Sequence, residues 1–305
     1  MVLPCKKTFV FVVSVWALFL RSLVTAQSPQ GKTGIILDQD TFPSPTRLAL
    51  KYEADRVSAA VDNLIPGQVG SYSTSDILCF VAPATWDNDP QGPPPITLVG
   101  TRRSGEPNAV HPHALRIALH RKVLQDGGEF IFELSHELAH VKMDARFDNY
   151  LIETFAVAVS LRALKELGFN QYRRDVIRLY INQLPASIRS TVVSIDDPQG
   201  WGKAVLKNVT TYWQREIQNQ NPTLLGAWDF SFATLGALIL EAYQQPVWSN
   251  LLGTAANSGH CVLSNGRPAT PADAAEFKSC KPVILKMGKV GPALKALGYP
   301  LLRAK

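Results

Sequence analysis

The sequence predicts an α+β protein, with a small antiparallel sheet whose edge strand lies beside a central helix and a mostly helical C-terminal half. Three observations carry that prediction. Short apolar, partly β-branched runs, DILCFVA and ITLV, fall in the first 120 residues between stretches rich in Pro, Gly and Asn. From Gly128 the apolar residues switch to helical spacing and keep it almost to the C-terminus. No internal repeat or low-complexity tract interrupts this order.

The N-terminus reads separately. MVLPCKK is a short basic start, TFVFVVSVWALFL is an apolar run, and Val24 and Ala26 stand three and one residues before Gln27. This is the layout of a secretory signal peptide, residues 1–26, and it predicts a secreted or periplasmic protein. The apolar run is shorter than the roughly 20 residues of a membrane span, so no stable membrane association is expected after cleavage, the alternative being an uncleaved membrane anchor. Removing residues 1–26 leaves 279 of 305. That is enough for a single unit, 47–305, preceded by an extended lead-in, 27–46. The unit divides into a sheet and histidine helix (47–145) and a helical half (146–305). Lys6, Lys7 and Arg21 leave with the first segment, so the formal charge falls from +6 to +3. The remaining basic residues are scattered, which argues against a nucleic-acid partner.

Of the cysteines, Cys79 lies inside the apolar run and reads as a buried free thiol. Cys261 and Cys280 flank a stretch rich in Ser, Asn, Gly, Pro and Ala, where an oxidising compartment favours a disulfide. Closing that loop is worth on the order of 3 kcal/mol.

RLALKYEADRVSAAVDNLIPG has apolar residues at helical spacing and stops at Pro66-Gly67, so it predicts the first helix. DILCFVA is a strand, WDNDPQGPPP a loop, and ITLVGTRRSGEPNAVHPHALRIALH two strands with a Gly/Pro/Asn connection. DGGEFIFELSHELAHVKMD is a helix with Asp126 as cap and Phe130, Leu134, Leu138 and Val141 on one stripe. After a reversal capped by Asp148 or Asn149, NYLIETFAVAVSLRALKELG forms the next helix. ATLGALILEAYQQP reads as core packing.

The chemistry sits on these two helices. His136 and His140 are four residues apart, so a helix stacks both imidazoles on one face, where they can chelate a single zinc ion. Glu137 leans to the same side as a proton acceptor. The plain alternative is an amphipathic helix with two satisfied histidines. Glu153 adds weight, because it stands between YLI and FAVAV. A buried carboxylate costs several kcal/mol unless it is compensated, and Arg162 and Lys165 come only a turn or more later. A cation held by the preceding helix would compensate it. The rival readings are a half-exposed Glu153 at a helix start, or Asp144 in the third position.

His136-Glu137-Leu138-Ala139-His140 followed by Glu153-Thr154-Phe155-Ala156 resembles the gluzincin group of zinc metallopeptidases, over about residues 96–165. The resemblance implies a Zn2+ cofactor held by His136, His140 and Glu153, with Glu137 as general base. It also implies an edge strand that holds an extended peptide or protein substrate. The sequence departs from the group in three ways. Only 12 residues separate His140 from Glu153, and Ala156 and Val157 stand where many members carry an acid. Glu133 or Asp144 would then orient a histidine. No Tyr or His that would steady the tetrahedral intermediate stands out. The metzincin pattern fails, since its glycine would fall at Met143 and its third ligand at Arg146.

Two other classes stay open: an exported zinc-binding or protein-binding module of this fold without turnover, and an exported helical adhesion or scaffold module. His111, His113 and His120 read as loop histidines rather than a second metal site. Asn208-Val209-Thr210 matches a glycosylation acceptor. No phosphate-binding glycine loop, G-x-S-x-G or C-x-x-C occurs.

Overall fold

The computed structural model describes residues 34–65, 76–87, 94–99, 104–107, 115–143, 150–183 and 186–190, followed by 230–241 and shorter pieces beyond. All of these lie in one unit, Thr33–Lys305. In chain order the elements are β1 (Ile35–Leu37), α1 (Thr46–Leu64), β2 (Ile77–Val81), β3 (Ile96–Val99), β4 (Leu115–Leu119) and α2 (Gly127–Lys142). Then come α3 (Tyr150–Glu166), α4 (Asn170–Ile181), α5 (Ala186–Arg189) and α6 (Phe230–Glu241), with two-residue strands β5 (Cys261–Val262) and β6 (Lys278–Ser279). The α+β class is as expected.

The four-stranded sheet has the order β1-β2-β4-β3 and is mixed rather than antiparallel. β1 runs parallel to β2 and β2 parallel to β4, while only β3 is antiparallel, to β4. The physical reason is the crossover. A helix, α1, carries the chain from β1 back to the same end of the sheet, so β2 starts in the same direction. β1 itself arises from the segment expected as a lead-in. Its Ile35 and Leu37 pair with Ile77 and Cys79 and are buried, while Ile36 faces out.

Strand position follows burial. The central strands β2 and β4 are buried at every residue, as strands covered on both faces must be. The inner face contributes Ile77, Cys79, Val81, Leu115, Ile117 and Leu119 to a core shared with the helices. The outer face packs Phe80, Ala82 and Ala118 around Trp86, with Ile96 and Leu98 leaning on them. Also on that face, Arg116 forms a buried ion pair with Glu106.

α1 buries Leu50, Ala54, Val57, Val61 and Leu64 and leaves Leu48 and Tyr52 exposed. α2 is capped by Asp126, whose Oδ1 accepts from the backbone N–H of Gly128 at 2.8 Å and Glu129 at 3.3 Å. It packs between the sheet, α1 and α3, so residues from Phe130 to Val141 are buried without a break. The expected stripe was narrower, because periodicity sees one partner and α2 has several. Cys79 is a buried free thiol, and burial pushes its pKa up.

Some expectations lie outside the described residues: the 1–26 segment, His111, His113, Asp144, the caps Asp148 and Asn149, Asn208, and Cys280 with its bond to Cys261. The backbone of β5 pairs Cys261 with Lys278, in parallel. No helix among the described residues is long and apolar enough to cross a membrane.

Candidate metal centre

A helix buried all round that carries Glu133, Ser135, His136, Glu137 and His140 must find a partner for each. Ser135 donates to the carbonyl of Ile131 one turn back, at 2.5 Å. Glu137 accepts from the Thr97 hydroxyl of β3, at 2.6 Å between Oγ1 and Oε2. Glu133 reaches the end of β4. There its Oε2 accepts from the His120 backbone N–H at 2.8 Å, and its Oε1 lies 2.7 Å from His120 Nδ1.

His136 and His140 turn toward α3. Their Nε2 atoms are 3.1 Å apart, with ring centroids 4.8 Å apart, as i and i+4 side chains on one helix face should be. Glu153, in the first turn of α3, straddles them. Its Oε2 is 3.3 Å from His136 Nε2, and its Oε1 is 3.0 Å from His140 Nε2. All three residues are buried. The half-exposed Glu153 considered from sequence is therefore excluded. No Lys or Arg pairs with it among the described residues, and Arg162 is bound to Glu166. Burial opposes ionisation of Glu153, but the charges of His140 and His136 outweigh it and hold the carboxyl well below the usual carboxylate range.

Whether such a triangle fits a metal can be judged from lengths alone. Ligands at about 2.0–2.1 Å from a tetrahedral zinc stand about 3.3–3.4 Å from one another. The observed edges of 3.0, 3.1 and 3.3 Å come within a few tenths of that figure. Once the imidazoles give up their protons, two neutral imidazoles and a carboxylate are also a donor set zinc accepts in catalytic sites, where a fourth position stays open. The residues fit the group.

The same test separates a second cluster, His120, Glu129 and Glu133. The 2.7 Å between His120 Nδ1 and Glu133 Oε1 is the length of a charge-assisted hydrogen bond and too short for two ligands of one ion. The pair fits a shared proton. Burial is the main force that pushes Glu133 up to about 7, against the pull of His120. Tyr172 of α4 donates to Glu129, extending the chain of hydrogen bonds. Glu133 thus faces His120 rather than the His136–His140 pair, contrary to one sequence expectation.

Sequence reasoning brought together His136, Glu137, His140 and Glu153, and the fold places His136, His140 and Glu153 at the junction of α2 and α3 and Glu137 against Thr97 of β3. It missed Thr97. The available signal was ITLV itself, where alternation sends Ile96 and Leu98 to one face and leaves Thr97 on the face toward α2. No protein-family model, curated protein or solved structure matches the chain.

Proposed function

We propose that the protein is a zinc-dependent hydrolase that cleaves peptide bonds, of the gluzincin type, with His136, His140 and Glu153 as metal ligands and Glu137 as general base. The observation that carries the reading is the convergence of three buried donor groups, from two helices, at 3.0–3.3 Å from one another. Bound there, zinc would polarise a carbonyl oxygen and lower the pKa of a water in its open position to about 7.

The chain's own residues supply the rest. Glu153 brings negative charge to the pair of imidazoles. Glu137, next to His136 in sequence and buried, has one oxygen held by Thr97. Its other oxygen has no partner among the described residues and serves as proton acceptor. The proton it takes from water passes to the leaving amine. β3 pairs only with β4 among the described residues, so its other edge can take an extended peptide as an added strand. That geometry supports a peptide or protein as substrate. Export through the 1–26 segment is part of the proposal.

The decisive experiment is Glu137→Gln. The variant keeps about one zinc per chain and an unchanged fold, while turnover of peptide substrates falls by roughly 100-fold or more. Zinc content by elemental analysis and peptide turnover by mass spectrometry measure both. Zinc without turnover in the wild type would leave the exported binding module, and wild type without zinc would end the metal reading.

A further inference from the structure

We infer that Thr97 is the positioning residue for Glu137, an inference that rests on the reading of Glu137 as general base. Its hydroxyl carries one proton and has two acceptors in range, the Glu137 carboxylate at 2.6 Å and the Glu137 carbonyl at 3.4 Å. The shorter bond, to a charged acceptor, takes the proton. A glutamate on a helix turns about three side-chain bonds, and a general base works only when it lies within hydrogen-bond reach of the proton it abstracts. Fixing one carboxylate oxygen removes most of that freedom and leaves the other oxygen as the acceptor.

The placement of Thr97 makes it specific to this task. In the strand ITLV, Ile96 and Leu98 pack against the Trp86 cluster on the outer face. Thr97 opposes Ile117 in register and points to α2. A valine of nearly the same shape would fill this inner-face position against Ile117 and the core. The hydroxyl therefore answers a need of α2 rather than of the sheet. Among the described residues β3 is also an edge strand of the sheet, so the residue that holds the base lies on the strand that would receive an added peptide. Substrate register and base orientation are then set by the same backbone.

The test uses Thr97→Val, which keeps the shape and removes the donor, and Thr97→Ser, which keeps the donor. With the full chain and zinc, Thr97→Val lowers kcat by about tenfold or more at a KM within about twofold, and zinc stoichiometry stays unchanged. Thr97→Ser returns kcat to within about threefold of wild type. An unchanged kcat in Thr97→Val, or no recovery in Thr97→Ser, overturns the positioning role. A second measurement needs no turnover. The urea midpoint of Thr97→Val is compared in the wild-type and Glu137→Met backgrounds as a double-mutant cycle. The loss of midpoint caused by Thr97→Val disappears once Glu137 is gone. An equal loss in both backgrounds shows that the pair does not exist. If the wild type cleaves nothing, the proposed function fails while the cycle still decides whether Thr97 holds Glu137.

Discussion

At the scale of single residues, Glu153 decides what kind of site this is. A carboxylate buried among Ile152, Phe155 and Ala156 meets two imidazoles and no Lys or Arg partner among the described residues. Glu153→Gln is expected to weaken zinc binding by well over about 100-fold, beyond the 10–100-fold typical for losing an outer partner. Glu133→Gln should leave zinc affinity within a few-fold, because Glu133 bonds to His120. Zinc titration against a competing chelator distinguishes the two, and equal losses would refute the assignment. Glu133 carries a pH prediction instead. Burial raises its pKa from 4.5 to about 7, and that of His120 is raised from 6.5 because the Glu133 bond and charge outweigh burial. Between about pH 4.5 and 7 Glu133 therefore holds more of its proton in the folded chain than in the unfolded one. Stability falls as pH rises through that window, by up to about 1.4 kcal/mol per pH unit for each proton. Urea denaturation from pH 5 to 8 should show this slope in the wild type and a flatter one in Glu133→Gln.

At the scale of elements, the start of α2 is set by its cap and by a close approach. Asp126 holds the first backbone N–H groups. Gly128 lies directly under Tyr172 of α4, where an added Cβ would overlap the ring, whereas at Gly127 it would meet Phe169 at an ordinary 3.5 Å. Gly128→Ala should cost about 1–3 kcal/mol by forcing α4 outward and breaking the Tyr172–Glu129 bond. Gly127→Ala should be neutral or stabilising by up to about 1 kcal/mol, as a helical residue that gains propensity. Thermal unfolding of the two variants checks this, and similar losses in both would show that the α2–α4 contact is misjudged. The cap was legible from Asp126-Gly127-Gly128 alone. The need for Gly128 was not, since α4 follows more than 40 residues later and only its packing brings Tyr172 to that spot.

At the scale of the whole molecule, the site joins β3, α2 and α3, so a metal that ties α2 to α3 should stabilise the fold. Free zinc at about 100 times its dissociation constant contributes about 2.7 kcal/mol to a chain that binds it only when folded. Chelation should therefore lower the unfolding midpoint of the wild type and of Glu137→Gln alike, with zinc restoring both. Glu153→Gln should unfold at the same midpoint with or without chelator. A wild-type midpoint that ignores chelator would count against a metal at this position.

The sequence by itself determined what local geometry controls. The helical period put His136 and His140 on one face, Asp126 announced where that helix starts, and the apolar neighbours of Glu153 required its charge to be answered. These are properties of residues within a few turns of one another, read from spacing and desolvation. Only the tertiary structure decided strand direction, the partner of Glu133 and the bond from Thr97 to Glu137. Alternation with period two is the same in a parallel and an antiparallel strand. Three residues such as Ile35–Leu37 become a strand only where β2 offers its edge. Thr97 and Glu137 are 40 residues apart, and nothing local couples them until β3 and α2 close on one another.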